Sequence, residues 1–353
     1  MMKSIYSDVY DGKTVLVTGH TGFMGSWLIE VLSLMNAKVI GFSLDPPTTP
    51  NMFEITGLDK KVTWIRGDVR DYLKLKETVE KFSPDFVFHL AAQSLVLHSY
   101  DAPAETFEVN VMGTVNLLES LRNEKNTKSV VVVTSDKSYK NRGWDYPYRE
   151  IDELGGRDPY SASKSCADIV VNSFRESFFR DNGTGLSSVR AGNVIGGGDF
   201  GENRLIPDVI RSLMKSEPLR IRNPDSIRPW QHVLDAINGM LKLSQRMYEN
   251  PLKYSGDWNF GPLNSSVTVK ELIDMCVKKL GRGKYFIEPT NTLFEEKTLK
   301  LDVNKSMENL HWKPVLNIET VVQKALDWYI AYLEHADMSK FTISQIREYY
   351  REA

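Results

Sequence analysis

Two residues four apart can do chemistry together: Tyr160 and Lys164, in the run Tyr160-Ser161-Ala162-Ser163-Lys164. Asp158-Pro159 ahead of them is a helix-start signal. Positions i and i+4 share a helix face, so phenol and ammonium project together. A nearby ammonium favours phenolate and is expected to lower the tyrosine pKa from about 10 toward working pH. Such a tyrosine can take a proton from an alcohol. The pattern alone is common, and a partly exposed helix pair is its plain structural reading. Thr134-Ser135 strengthens the chemical one, because hydroxyls ending a β-rich run at the carboxyl edge of a parallel sheet face the ligand crevice. Asp136-Lys137 follows at the same edge. Its plain alternative is a solvated ion pair in a loop.

A second constellation could hold a dinucleotide. Gly19, Gly22 and Gly25, with Thr21, Phe23 and Met24 between them, lie between an apolar run and a helical pattern. Glycines there permit a tight turn and close backbone approach to a pyrophosphate at a helix N-terminus. The spacing is G-x-x-G-x-x-G; a turn that binds nothing is the alternative. Ser43 ends the second β-rich run and Asp45 follows. An acid there would bind a ribose hydroxyl and repel a 2′-phosphate, which favours NAD over NADP. Before Pro46-Pro47, Asp45 also reads as a turn residue. Asp68-Val69 either lines an adenine pocket or simply forms a turn.

The elements that must position these residues alternate. Strands are expected at Thr14–Thr18, Lys38–Ser43, Val62–Ile65, Asp85–Leu90, Ser129–Ser135 and Leu186–Arg190. Helices are expected at 22–34, 71–82, 104–121 and 159–179. The strands are apolar on both faces, as buried parallel strands are. This predicts an α/β fold, a Rossmann-like doubly wound parallel sheet with a smaller mixed α/β C-terminal substrate lobe. Residues 1–191 would form the sheet domain, with 226–262 returning to it. Residues 192–225 and 263–353 would form the lobe, with helices near Thr268–Leu280 and Ile318–Leu333.

Composition sets the class. The chain has 353 residues, 41% hydrophobic and 25% charged, with a formal charge of −2. That excludes collagen-like and broadly disordered readings and gives no bulk attraction to nucleic acid or anionic membrane. Two cysteines, Cys166 and Cys276, exclude a disulfide-stapled secreted fold. The N-terminus has no signal-peptide core, and no apolar run approaches the roughly 20 residues of a membrane helix. A cytoplasmic protein is expected. The histidines make no metal-ligand pair and there is no Cys-x-x-Cys, so no metal is expected. One segment departs from the average: residues 203–230 hold six basic and three acidic side chains. Arginine forks suit a diphosphate. Arg211 and Lys215 read as a solvated helix face. Asn193, between a strand and glycines, suits a phosphate contact or a turn.

Together the glycine turn, the strand-end hydroxyls and Tyr-x-x-x-Lys resemble the extended short-chain dehydrogenase/reductase superfamily. Longer runs resemble its CDP-glucose 4,6-dehydratases: 18–27, 46–50, 89–93, 134–137, 156–164, 190–199, 204–208, 228–233 and 299–302. The resemblance implies catalytic NAD, a CDP-sugar substrate and a homodimer through the 104 and 159 helices. It implies that Leu90, Ala91 and Ala92 border the cofactor, as does Thr134. It places Gln93, Arg204, Leu205, Arg228 and Trp230 with Asn193 on the substrate. Tyr160 would take the 4-hydroxyl proton, aided by Ser135 and Lys164. Asp136 would protonate the departing 6-hydroxyl, and Lys137 would be the C5 base or an electrostatic partner. Met24, Ser94 and Leu97 stand where close relatives usually have lysine, proline and arginine. A nucleotide-sugar 4-epimerase would need the tyrosine but not the acid Asp136. A non-catalytic NAD-sensing protein would typically lose Tyr160 or Lys164.

Overall fold

Successive residues of the first strand point into different cores. Val15 and Val17 pack into one cluster, and Leu16 into another. The same alternation holds for Phe86 and Phe88 against Val87, and for Val131 against Val130 and Val132. A strand buried on both faces needs helices on both. The computed structural model describes residues 9–263, 267–288 and 297–353. The N-terminal reading falls on Met1–Asp8, outside the described residues, as do 264–266 and 289–296 of the expected lobe.

Seven strands form one sheet: β1 (Thr14–Thr18), β2 (Lys38–Ser43), β3 (Thr63–Arg66), β4 (Phe86–His89), β5 (Ser129–Val133), β6 (Gly185–Ala191) and β7 (Gly256–Phe260). Their order is β7-β6-β5-β4-β1-β2-β3, with every neighbouring pair parallel. Helices α1 (Phe23–Leu34) and α6 (Val233–Glu249) share the core on one face. Helices α2 (Tyr72–Phe82), α3 (Gly113–Leu121) and α4 (Pro159–Phe174) cover the other. The chain leaves the sheet after β6, forms α5 (Leu205–Lys215), and returns through α6 to β7. Beyond it lie α7 (Val269–Leu280), α8 (Ile318–Leu333) and α9 (Met338–Glu352).

Helix starts follow side-chain capping. Asp71 accepts from the Lys74 N–H at 3.1 Å and Asp158 from the Ser161 N–H at 2.9 Å. Thr268 and Glu271 make a full capping box on α7.

Two expected helices are not continuous. The 104–121 segment is a short helix at Pro103–Phe107, a π turn at Glu108–Met112, and then α3. The 159–179 segment is α4 followed by a π turn at Arg175–Phe179. The first π turn carries Asn110 inward, where its amide donates to Ser163 Oγ at 2.8 Å and to the Gln93 carbonyl at 3.0 Å. Helix α9 was not expected. It is fixed by tertiary bonds: Trp328 Nε1–H to Thr342 Oγ1 at 2.9 Å, and Tyr349 O–H to Asp235 Oδ1 at 2.8 Å.

Candidate active site

The strand order reverses at β1, which neighbours β4 on one side and β2 on the other. In open α/β sheets a ligand crevice forms beyond the strand ends at such a point. A cleft of about 1260 Å³ lies there, walled by the glycine turn, the ends of β2 to β6 and α5.

The glycine turn is built by sterics. Gly19 has φ +71°, and a Cβ on it would lie 2.6 Å from the Ala91 nitrogen. A Cβ on Gly25 would lie 2.3 Å from the Gly19 carbonyl oxygen. Gly22 is the N-cap of α1 and offers no side-chain cap. The first-turn N–H groups therefore meet the cleft uncapped by a side chain, an arrangement that fits a pyrophosphate. Thr21, Phe23 and Met24 line the same wall.

The structure redistributes the residues around β2. Ser43 lines the cleft, but its hydroxyl bonds His20 Nδ1 at 3.0 Å and Thr21 Oγ1 at 3.1 Å, tying the turn to the strand end. Burial pushes the His20 pKa down to about 4, so this imidazole is neutral. Asp45 is exposed on the rim and pairs with Arg66 at 2.8 Å. Asp68 and Val69 line the cleft, and Asp68 is held below the usual carboxylate range by hydrogen bonds from Arg70. Leu90, Ala91 and Ala92 continue this wall.

Ser135, Asp136, Lys137, Tyr160 and Lys164 converge on one side of the cleft. The expected lowering of Tyr160 does not occur. Burial pushes its phenol up to about 12, partly opposed by its hydrogen bond with Ser135 and the nearby Arg204 charge. The Lys164 ammonium instead donates to the Val133 carbonyl at 3.1 Å, and burial brings its pKa down to about 8. Thr134 lines the cleft, yet its hydroxyl donates to the Val189 carbonyl at 3.2 Å and so clamps β5 to β6. Ser135 is the strand-end hydroxyl that serves the site. It donates to Asp136 Oδ1 at 3.1 Å and accepts from the Lys137 N–H at 3.1 Å. Asp136 is 3% exposed, and its Oδ2 has no hydrogen-bond partner among the described residues. Burial raises its pKa against the opposing charges of Lys137 and Arg228. A buried carboxyl biased toward its protonated form is what a general acid requires.

Across the cleft stand Asn193, Arg204, Leu205, Arg228 and Trp230. Arg204 bonds Asp199 at 3.0 Å and Ser94 at 2.8 Å. Arg228 is 3% exposed, and its Nη1 donates to the Ile227 carbonyl at 2.9 Å and the Lys297 carbonyl at 3.2 Å. Gln93 is absent from the cleft wall. Its amide donates to Thr106 Oγ1 at 2.9 Å and accepts from the Leu95 N–H at 2.6 Å, so it shapes the loop instead. Arg211 also departs from expectation. It lines the cleft and donates to the Phe200 and Gly201 carbonyls at 3.0 and 2.9 Å, folding the glycine-rich loop onto α5. Asn110 went unnoticed in the sequence. An inward asparagine at a π turn has no periodic signature, because the turn shifts the helical register.

A parallel sheet with this glycine turn at its switch point, and Tyr160 and Lys164 one turn apart on α4 at the cleft wall, defines an extended short-chain dehydrogenase/reductase. Residues 16–325 match the family described as GDP-mannose 4,6 dehydratase, and the chain belongs to that family. It is 45% identical over 352 residues to a CDP-glucose 4,6-dehydratase of Salmonella typhimurium, covering 98% of both chains. It is 26% identical over 351 residues to a dTDP-glucose 4,6-dehydratase of the same organism, covering 90% of this chain and 92% of that one. Among solved structures, an epimerase of Methanothermobacter thermautotrophicus superposes with TM-score 0.83 at 24% identity, over 95% of this chain and 96% of that one. A dTDP-glucose 4,6-dehydratase of Bacillus anthracis in complex with NAD gives 0.77 at 21% identity, over 92% and 99%. These two likenesses speak for the fold.

Proposed function

We propose that the chain is a hydro-lyase that converts CDP-glucose to CDP-4-keto-6-deoxyglucose with catalytic NAD. The carrying observation is Asp136, a buried carboxyl biased toward protonation beside Ser135 and Tyr160. An epimerase has no use for that acid. The 45% identity to a CDP-glucose 4,6-dehydratase supports the same reading.

NAD, held by the glycine turn and the Asp68 wall, supplies a reversible hydride acceptor when bound. Tyr160 takes the 4-hydroxyl proton as a phenolate, the form that the positive charge of bound oxidised NAD would favour, with Ser135 hydrogen-bonded to the phenol and Lys164 supplying positive charge from the same helix face. Ketone formation at C4 acidifies the C5 proton. Asp136 protonates the 6-hydroxyl as it leaves as water, and Lys137 faces C5 as base or electrostatic partner. With NAD bound, the hydride accepted from C4 would be available for C6 while a proton returns to C5, so that the net change is loss of water with no redox change. Arg204 and Arg228 bind the diphosphate side of the substrate, with Asn193, Leu205 and Trp230 around it. Residues 192–225 and 263–353 form the substrate lobe over the sheet domain.

The protein acts as a cytoplasmic homodimer in this reading. Phe107, Met112, Ile169 and Phe178 remain exposed on the adjoining 103–121 and 159–179 helices, apolar surface that a second copy would cover. Among the described residues no helix is long and apolar enough to cross a membrane.

The deciding experiment presents CDP-, dTDP-, GDP- and UDP-glucose to purified protein and identifies products by mass and NMR. Loss of water from CDP-glucose is expected. A 4-epimer of unchanged mass, or no turnover of any sugar, overturns the assignment.

A further inference from the structure

Helix α4 carries a third functional-looking position on the face of Tyr160 and Lys164. Asp168 lies one turn beyond Lys164, on the same stripe by i, i+4 spacing. Both side chains are buried, Lys164 at 5% exposure and Asp168 at 1%. A carboxylate this deep needs a reason, because an uncompensated buried charge is strongly unfavourable. One reason is visible: Arg190 of β6 donates from Nε to Asp168 Oδ2 at 3.2 Å. That leaves Asp168 Oδ1 without a hydrogen-bond partner among the described residues.

Arg190 has other partners. Its Nη1 donates to Tyr139 O–H at 3.0 Å and to the Glu150 carbonyl at 3.1 Å, and its Nη2 stands 3.4 Å from Asp257. The arginine thus has anchors besides Asp168, and it shares Asp257 with Arg175, whose Nη1 lies 3.1 Å from that carboxylate. Asp168 commits only Oδ2 to this cluster, and its buried Oδ1 stays unpartnered among the described residues.

The groups around the ammonium are few. From α4 come Tyr160 and Asp168. From β5 comes the Val133 carbonyl, a dipole with no net charge. From β4 comes His89, wedged between Thr18 and Thr114 and held neutral by burial, with a pKa near 3. From β6 comes Arg190, a like charge beyond Asp168. Burial disfavours the protonated amine, and among these groups Asp168 favours it through a negative charge.

We propose that Asp168 is a positioning residue for Lys164: its anchored carboxylate, one turn along the helix, keeps the ammonium charged on the face it shares with Tyr160. The role rests on reading Tyr160 and Lys164 as the catalytic pair, but the charge coupling itself does not. The direction of the Lys164 titration agrees, since burial brings its pKa down to about 8 and Asp168 is the influence opposing that fall.

The test is a titration of the cofactor-free protein with ¹³Cε-labelled lysine, the Lys164 resonance being assigned by its loss in Lys164→Arg. In Asp168→Asn the midpoint should fall by about one pH unit or more, a tenfold rise in the acid dissociation constant. Asp168→Glu, which retains a carboxylate, should bring it back toward wild type. The alkaline limb of the pH–rate profile should move down with the NMR midpoint. If Asp168→Asn does not fold, Asp168→Ser replaces it, leaving space for water beside Arg190. A folded charge-removed variant with an unmoved Lys164 midpoint overturns the proposal and reduces Asp168 to a structural partner of Arg190. The NMR arm reads the same way if the chain dehydrates no sugar nucleotide, so the two readings fail separately.

Discussion

Arg204, at the N-terminal edge of α5, donates to the hydroxyl of Ser94 at 2.8 Å across the mouth of the cleft. The two residues are separated by 110 positions and belong to different walls. Asp199 grips the same guanidinium at 3.0 Å, and Tyr329 in turn donates to the Asp199 carbonyl. Arg204 is thereby aimed over Tyr160, on whose hydroxyl its charge acts.

Removing the Ser94 anchor tests that aim. Ser94→Ala should raise KM several-fold, a loss of about 1–2 kcal/mol in kcat/KM, with kcat near wild type. Arg204→Gln should lower both kcat and kcat/KM, since it removes a cation from the phenol as well as the proposed substrate contact. Steady-state kinetics on the two variants, with melting curves to confirm folding, separates these outcomes.

Asp136 should show opposite effects on activity and stability. Asp136→Asn should lower the dehydration rate by about 10²–10⁴, the usual weight of general acid catalysis. Burial raises the folded-state pKa of Asp136. Ionisation therefore costs stability as pH rises from the ordinary carboxyl range through that raised value. The amide has no such cost, so at pH 8 the variant should melt no lower than wild type. A melting point well below wild type would point to a structural role.

Asp235 offers a cleaner pH test away from the cleft. It accepts from the Val315 N–H and the Tyr349 O–H, both at 2.8 Å, while burial raises its pKa to about 6. The unfolded value is near 4, so the folded carboxylate carries a cost on the order of 3 kcal/mol above pH 6 that vanishes below pH 4. Asn keeps an acceptor for both donors. Asp235→Asn should melt higher than wild type at pH 8, with the gain shrinking between pH 6 and pH 4. Differential scanning calorimetry across that range checks the sign.

Gly25→Ala should act through geometry alone. The new methyl would sit 2.3 Å from the Gly19 carbonyl oxygen, a backbone atom that can yield only by moving the turn. Overpacking of this kind costs about 1–3 kcal/mol. Calorimetry should show weakened or absent NAD binding together with a lowered melting point.

Ile169→Arg probes the exposed apolar face of α4. If a second copy covers that face, light scattering should report a monomer where wild type is a dimer. Unchanged mass would overturn the assignment of this face to a contact between copies.

The separate legibility of these features has a physical basis. Tyr160 and Lys164 were readable together because helical periodicity is local, and Asp158-Pro159 marks the start of their helix. The glycine turn was readable because its spacing reports backbone conformation, and Gly19 and Gly25 do stand where a Cβ has no room. The parallel sheet was readable from strands apolar on both faces, with Val15, Leu16 and Val17 all buried. Charge states were not. Tyr160 is pushed up where spacing alone suggested down, because desolvation depends on everything packed around the phenol. Side-chain direction was not readable either: Gln93 turns from the cleft because Asn110, 17 residues on, holds its loop.

The sequence by itself determined which residues are chemically competent and which elements carry them, since spacing, glycine and capping act over a few residues. The tertiary structure decided which of them share the cleft, which are buried, and which charges face one another. Ser94 meets Arg204, and Asp168 meets Arg190, only because the sheet order and the excursion of the chain after β6 bring distant segments together. Burial and Coulomb interaction sum over those segments without regard to their order along the chain.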